Sequence, residues 1–450
     1  MKEAHPFEKK LGMEFYSTDF PGMNGRVKAR FEDFIVAEIS PEEYILQIKK
    51  IDKIDEWQGV EDSIIEGEKD RFVRFVMQKI GLSTMDVVHI LAAELNIPRH
   101  LVTYAGLKDK RAITAQFMSV PSSDAERLAN CNLSRILIRE LEYVHRQINI
   151  GDLWGNRFRI RLEGITLPLD QALEFTRSMD DGPILNYFGV QRFGVTRPFT
   201  HRVGKALTKR DYEEAIMIML TETSDYESEE LTNIRNSLAE DFVPTENMLE
   251  IFPEDQRYER RILEHLIRHP NDFERALQKI PPRIQTIFVH AYQSYLFNRL
   301  ISMRARAKMS LEMPIVGDFL IRLDIAHSGR DSWIYVTKKK LDSCIDLVES
   351  GEYGLAAPIP GYTTKTPPSP QTDMLREILN SEEISLIEFR NSGSRALNSP
   401  GGLHLLSVRP HKLKVSGIKD ELILEFSLRK GSYATIIMRE LMKSHPINRV

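Results

Sequence analysis

Strand-like segments at both ends of this chain enclose a long helical block, and that order admits few architectures. That order suggests that the two ends belong to one domain, so the middle reads as an insertion. The strand-like segments begin with RVKARFEDFIVAEI (26–39), whose apolar run Phe34-Ile35-Val36 fits a partly buried strand. Others lie at 102–104, 113–120, 135–144 and 157–163, and the last, LILEFSLRK, at 422–430. Between them, residues 71–80 place Phe72, Phe75, Val76 and Ile80 at helical spacing, with Gly81 as the stop. Ser83 is placed to cap a helix carrying Val87, Val88, Leu91 and Leu95 on one face, and a further helix is expected near 168–179. Residues 205–304 are mostly helical by pattern, notably 284–303, and the Pro/Thr-rich stretch 357–373 reads as irregular. GSYATIIMRELMK (431–443) reads as a helix capped by Ser432. The pattern predicts an α+β domain interrupted by an inserted domain, with boundaries near 200 and 405. A length of 450 residues agrees with two domains.

Composition narrows the function mostly by exclusion. No run approaches the roughly 18 apolar residues of a membrane span, and the first 20 residues lack a signal-peptide core. Cys131 and Cys344 are far apart, with no zinc-like spacing, and read as buried thiols of a reducing cytoplasm. There is no G-x-x-x-x-G-K-[ST] or G-x-G-x-x-G phosphate loop, no H-E-x-x-H and no G-x-S-x-G elbow. Chemistry driven by ATP, a nicotinamide or zinc therefore has no visible support. The formal net charge of −4 means that any nucleic-acid surface must be a local basic patch, offset by acidic stretches such as 222–233 and 61–70.

The densest chemical candidate is Gly106-Leu107-Lys108-Asp109-Lys110-Arg111, a loop between two expected strands. Nearby cations favour the ionised form of a carboxylate, which suits nucleophilic attack or proton abstraction, and they can also meet phosphate. The same residue types fit a solvated surface turn. Asn186-Tyr187-Phe188-Gly189-Val190-Gln191-Arg192-Phe193-Gly194 sets aromatic faces beside amide and guanidinium groups, as a nucleobase pocket requires. Tyr187 and Phe193 fit a core plug better, and Phe188 fits either role. Lys28 alternates with Arg26 and Arg30, so it could face an anion from a strand or lie in solvent. Arg157, Arg159 and Arg161 alternate too, which puts all three on one strand face and favours an anionic partner.

These segments, taken together, resemble a known family. AGLKDKRAITAQ (105–116) looks like the G-x-K-D-[RK]-x-A-x-T-x-Q signature of TruD-type pseudouridine synthases, and NYFGVQRFG (186–194) resembles their N-Y-F-G-x-Q-R-F-G motif. VKARFEDFIVAEI (27–39), GDLWGNRF (151–158) and GSYATIIMREL (431–441) are similar to three further motifs, in the family's order along nearly the whole chain. The resemblance implies a pseudouridine-synthase catalytic domain with a mixed, largely antiparallel sheet at 1–200 and 405–450, and an inserted, helix-rich α+β TRUD domain at 201–404. It implies isomerisation of uridine 13 of tRNA in the D-arm region, with Asp109 in the place of the catalytic aspartate. Lys28 and Glu38 match charged positions near that site, Phe188 an aromatic that stacks on the target base, and Asn186 a residue that helps hold the loop or base. Lys108, Arg192, Arg157 and Arg159 complete the expected substrate contacts. The expected partner is tRNA, with no membrane, no small-molecule cofactor, no metal and a monomeric chain.

Overall fold

A ten-stranded sheet frames the molecule, whose computed structural model describes residues 1–51, 56, 57, 59–180, 182–323 and 332–449. Its backbone is the long strand Gly155–Ile165. One edge of that strand pairs antiparallel with Glu421–Arg429 along its whole length, and the other with Phe34–Ile39. Segments from the two ends of the chain thus flank the same strand. Phe34–Ile39 then runs parallel to Ile113–Pro121, and the sheet continues antiparallel through Phe72–Ile80 and Ile136–Val144. It is mixed and largely antiparallel, in an α+β fold.

One element corrects the sequence reading. Residues 72–80 are a central strand, not a helix. Val73, Phe75 and Met77 face one apolar cluster with Val87 and Leu91, while Val76 faces another with Leu46 and Ala115. A strand buried on both sides loses its alternation, and its apolar residues then mimic helical spacing. The helix Thr84–Leu95 begins at Ser83, whose hydroxyl accepts from the Asp86 N–H as expected. At the other end Ser432 does not cap: the helix is Ala434–Met442, and Tyr433 holds the capping position without a side-chain bond.

Beyond residue 200 the chain is helical up to the 25-residue helix Pro282–Arg306. A second, four-stranded antiparallel sheet follows: Trp333–Tyr335, Phe319–Arg322, Tyr353–Ile359 and Gly402–Leu405. A continuous apolar cluster takes in Phe34 and Phe158 of the large sheet, Val203 and Leu296 of the helices, and Leu320 and Leu355 of the small sheet. Packing therefore continues across residues 200 and 405, where the chain changes its type of structure. The helix Ala434–Met442 is tied to the N-terminal segment through buried charge. Arg439 and Arg449 both grip the Glu8 carboxylate, at 2.8 and 2.7 Å. Cys131 and Cys344 are free and buried. Among the described residues no helix is long and apolar enough to cross a membrane.

Candidate active site

The segment linking Thr103–Tyr104 to Ile113–Pro121 forms a loop whose main chain is held at each step. The Gly106 carbonyl accepts from Gln116 Nε2 at 3.0 Å, and the Lys108 N–H donates to Thr84 Oγ1 at 2.8 Å. Thr84 Oγ1 in turn donates to Gln116 Oε1 at 3.0 Å, so the two anchors share one network. The Asp109 carbonyl accepts from Lys79 Nζ at 2.7 Å. A loop fixed this way offers its side chains to a reactant with little reorganisation.

Asp109 presents a carboxylate that is 43% exposed, on the wall of a cavity of about 1000 Å³. That cavity lies between the two sheets. Phe34, Val36, Asn156 and Phe158 come from the large sheet, and Ile321 and His404 from the small one. The turn Arg429–Thr435 closes one side and brings Arg429 and Lys430 to the lining.

The cations around Asp109 are not those its neighbours in sequence suggest. Lys108 turns inward and pairs with Glu38 at 2.7 Å, where both side chains are buried. The other Glu38 oxygen accepts from the Phe117 N–H at 3.2 Å. Lys110 points to Asp86, 3.8 Å away, on the exposed side. The ammonium groups that approach Asp109 belong to Lys28 and Lys79. Lys28 Nζ is 3.6 Å from Asp109 Oδ1 and lies over the Phe34 ring at 4.2 Å. The strand Asn24–Val27 ends just before it, and Lys28 adopts a left-handed φ of 60°, so the expected alternation with Arg30 stops there. A non-glycine residue in that region costs on the order of 1–3 kcal/mol and persists only where its surroundings fix it. Lys79 is fully buried in the central strand, and burial pushes its ammonium down to about 7 while Asp109 pulls the other way. Sequence reasoning missed Lys79. Its one signal was a lysine next to the end of a mostly apolar run, FVRFVMQKI.

Asn186 and Phe188 lie across the cavity, behind its surface. Asn186 is buried, and its Nδ2 contacts both the Leu405 carbonyl and His404 Nε2 at 3.1 Å. It does not hold the Asp109 loop, but it bonds two residues of the opposite cavity wall. The main chain of Phe188 is clamped by Asn298, whose Oδ1 accepts from its N–H at 2.8 Å and whose Nδ2 donates to its carbonyl at 2.9 Å. The Phe188 ring is covered: His404 stacks on it at 4.5 Å and 19°. Arg192 sits over the same ring at 5.8 Å and donates to Ser294 Oγ. His404, which no local pattern singles out, is the member of this group that lines the cavity. Burial, with an adverse contribution from Arg192, pushes its imidazole down to about 4.

The arginine stripe lies elsewhere. Asn156 and Phe158 point into the cavity, so strand alternation turns Arg157, Arg159 and Arg161 to the opposite face of the sheet. There they meet carboxylates. Arg157 and Arg159 pair with Glu425 at 3.2 and 3.6 Å, and Arg161 with Asp33 and Glu421. The single-face prediction was right, but the anions on that face are the protein's own.

With this geometry in place, comparison with known proteins is decisive. A family model described as tRNA pseudouridine synthase D (TruD) matches residues 10–441. The chain belongs to the TruD family. A curated relative from Methanosarcina acetivorans, named as a tRNA pseudouridine synthase D, is 32% identical across 99% of this chain and 98% of its own. One of the same name from Thermococcus sibiricus is 32% identical across 96% and 97%. The crystal structure of a TruD protein from Methanosarcina mazei superposes with a TM-score of 0.79 at 29% identity, covering 99% of this chain and all of that one. The TruD fold thus extends over the helical block and the small sheet as well as the large sheet.

Proposed function

We propose that the protein converts uridine to pseudouridine in tRNA, at position 13, with Asp109 as the reacting carboxylate and no cofactor. The observation that carries this reading is the half-exposed Asp109 carboxylate, beside Lys28, on the wall of a cavity roomy enough for an extruded nucleotide. The reaction breaks the C1′–N1 bond, turns the uracil and rejoins it through C5, so it neither gains nor loses electrons. The base must first leave its stack, which costs a few kcal/mol.

In this reading Asp109 acts as nucleophile at C1′ of the ribose, as base at C2′, or by attack at C6 of the uracil, and a primary isotope effect with 2′-deuterated uridine would select the second. Lys28 steadies the anion and orients it. The Glu38–Lys108 pair fixes the loop from below, and the Arg429 and Lys430 side chains of the cavity wall give the RNA backbone a cationic border. Asn186 and Phe188 then support the base from behind His404. Arg157 and Arg159, on the far face, could meet tRNA only outside the cavity. The protein would act in the cytoplasm as a monomer.

The test is tritium release from tRNA carrying C5-labelled uridine. Asp109→Asn, folded as judged by its melting transition, is expected to release no tritium above background. Release near the wild-type rate would remove the carboxylate from the mechanism.

A further inference from the structure

Just outside the Asp109 cavity, on the edge strand of the small sheet, an indole stands open to solvent. Of the three tryptophans, Trp57 is buried, and Trp154 is engaged by the Arg429 guanidinium at 4.9 Å and the His411 ring at 5.4 Å. Trp333 is 38% exposed. It begins the edge strand Trp333–Tyr335 directly opposite Ile321, and Ile321 lines the cavity. Side chains of paired residues stand on one face of a sheet about 5 Å apart, so the indole sits one strand outward from the cavity lining. Phe319 braces it edge-on at 5.8 Å. Past the strand come Lys338, Lys339 and Lys340, all exposed, and among the described residues no carboxylate pairs with them. Extended chain covers at most about 17 Å in five residues, so the first of these cations lies within that reach of the indole.

We infer that Trp333 is a stacking surface for a nucleotide next to the target uridine, and that Lys338, Lys339 and Lys340 meet the phosphates beyond it. The inference rests on the reading of the Asp109 cavity as a uridine site and extends that site onto the small sheet. Extruding one nucleotide leaves its neighbours with one stacking partner fewer, and an aromatic ring at the mouth of the cavity replaces it. Every base has a π face, so such a platform tolerates any sequence beside the target. Three exposed lysines in a row are the kind of local patch through which a chain of net charge −4 can hold phosphate. Lysines beside an edge strand also deter strand addition, but that role alone would leave RNA affinity unmoved.

The experiment measures binding to Asp109→Asn protein, so that turnover does not intervene. The tRNA is intact, or abasic immediately before or immediately after position 13. Trp333→Leu is expected to bind intact tRNA about tenfold more weakly, and Trp333→Phe to lose less than about threefold. With one of the two abasic tRNAs the Trp333→Leu loss should vanish, because the base that would have stacked is already gone. No loss with intact tRNA, or an undiminished loss with both abasic tRNAs, would overturn the inference. Tryptophan emission gives a second reading: tRNA should quench it, and Trp333→Phe should lose most of that quenching. Equal quenching in the two proteins would also overturn the inference. Lys338→Gln, Lys339→Gln and Lys340→Gln together should lower the slope of log affinity against log salt by about two, and an unchanged slope would take the lysines out of the surface. Melting curves of each variant separate these outcomes from loss of fold. If tritium release instead persists in Asp109→Asn, the reading of Asp109 fails while this binding comparison still stands.

Discussion

Two sets of cations lie on opposite faces of the large sheet, and they do different work. Lys28, Lys79 and Lys108 are buried around the Asp109 loop, each bonded to a particular oxygen: a carboxylate of Asp109, its carbonyl, or Glu38. Arg157, Arg159 and Arg161 lie on the far face against Glu425, Asp33 and Glu421, at 3.2 to 3.8 Å and with partial access to solvent. Water and salt screen the second set, whereas the first acts where the local dielectric is low. Abundant positive charge therefore says little about function until its burial and its partners are known.

That contrast can be broken by experiment. The largest effect is expected at the Glu38–Lys108 pair. Lys108→Met leaves a fully buried carboxylate without its cation and should cost about 3–5 kcal/mol in chemical denaturation. A loss below 1 kcal/mol would place that pair with the surface set. Next comes Lys79→Met, which removes the donor to the Asp109 carbonyl. We expect kcat to fall up to about 100-fold, as for a reacting group displaced by roughly 1 Å. KM should change little and Lys79→Arg should recover part of the rate, whereas a purely structural lysine would give equal losses in both variants. The same residue makes stability depend on pH. Its folded value of about 7 lies below the ordinary 10.5, so between them the unfolded chain binds more protons. Wild-type stability relative to Lys79→Met should rise from pH 7 to 10.5, and a flat difference would mean that the buried amine is not desolvated. The smallest effect is expected at Arg159→Gln, which should shift stability by less than about 0.5 kcal/mol and leave tritium release unchanged. A clear loss of turnover there would bring tRNA onto the far face.

Much of the architecture was legible in the sequence because it depends on local pattern. The strand–loop–strand around Asp109, the helix begun by Ser83 and the strand Glu421–Arg429 all follow from spacing and turn chemistry. Failure came where burial on two faces erased alternation, at Phe72–Ile80, and where a cap was assigned to Ser432 from residue type alone. In the site, Asp109 stood out through its neighbours Lys108, Lys110 and Arg111. Two of its actual partners come from 30 and 81 positions away, and no local window contains them. His404 was invisible for a similar reason. It meets Asn186 across 218 positions, and Phe188 beside it, through a strand pairing that no periodicity reveals.

The flanking of Gly155–Ile165 by one strand from each end of the chain has a consequence for biogenesis. While the ribosome is still making the helical block, the Asp109 loop already exists, but the wall opposite it does not. At ordinary elongation rates that half-built pocket waits on the order of tens of seconds, its apolar lining bare, until Glu421–Thr435 emerges and zips into place. A nascent chain of this design lacks the Arg429–Thr435 wall of its cavity throughout that interval, with the Asp109 loop facing open solvent.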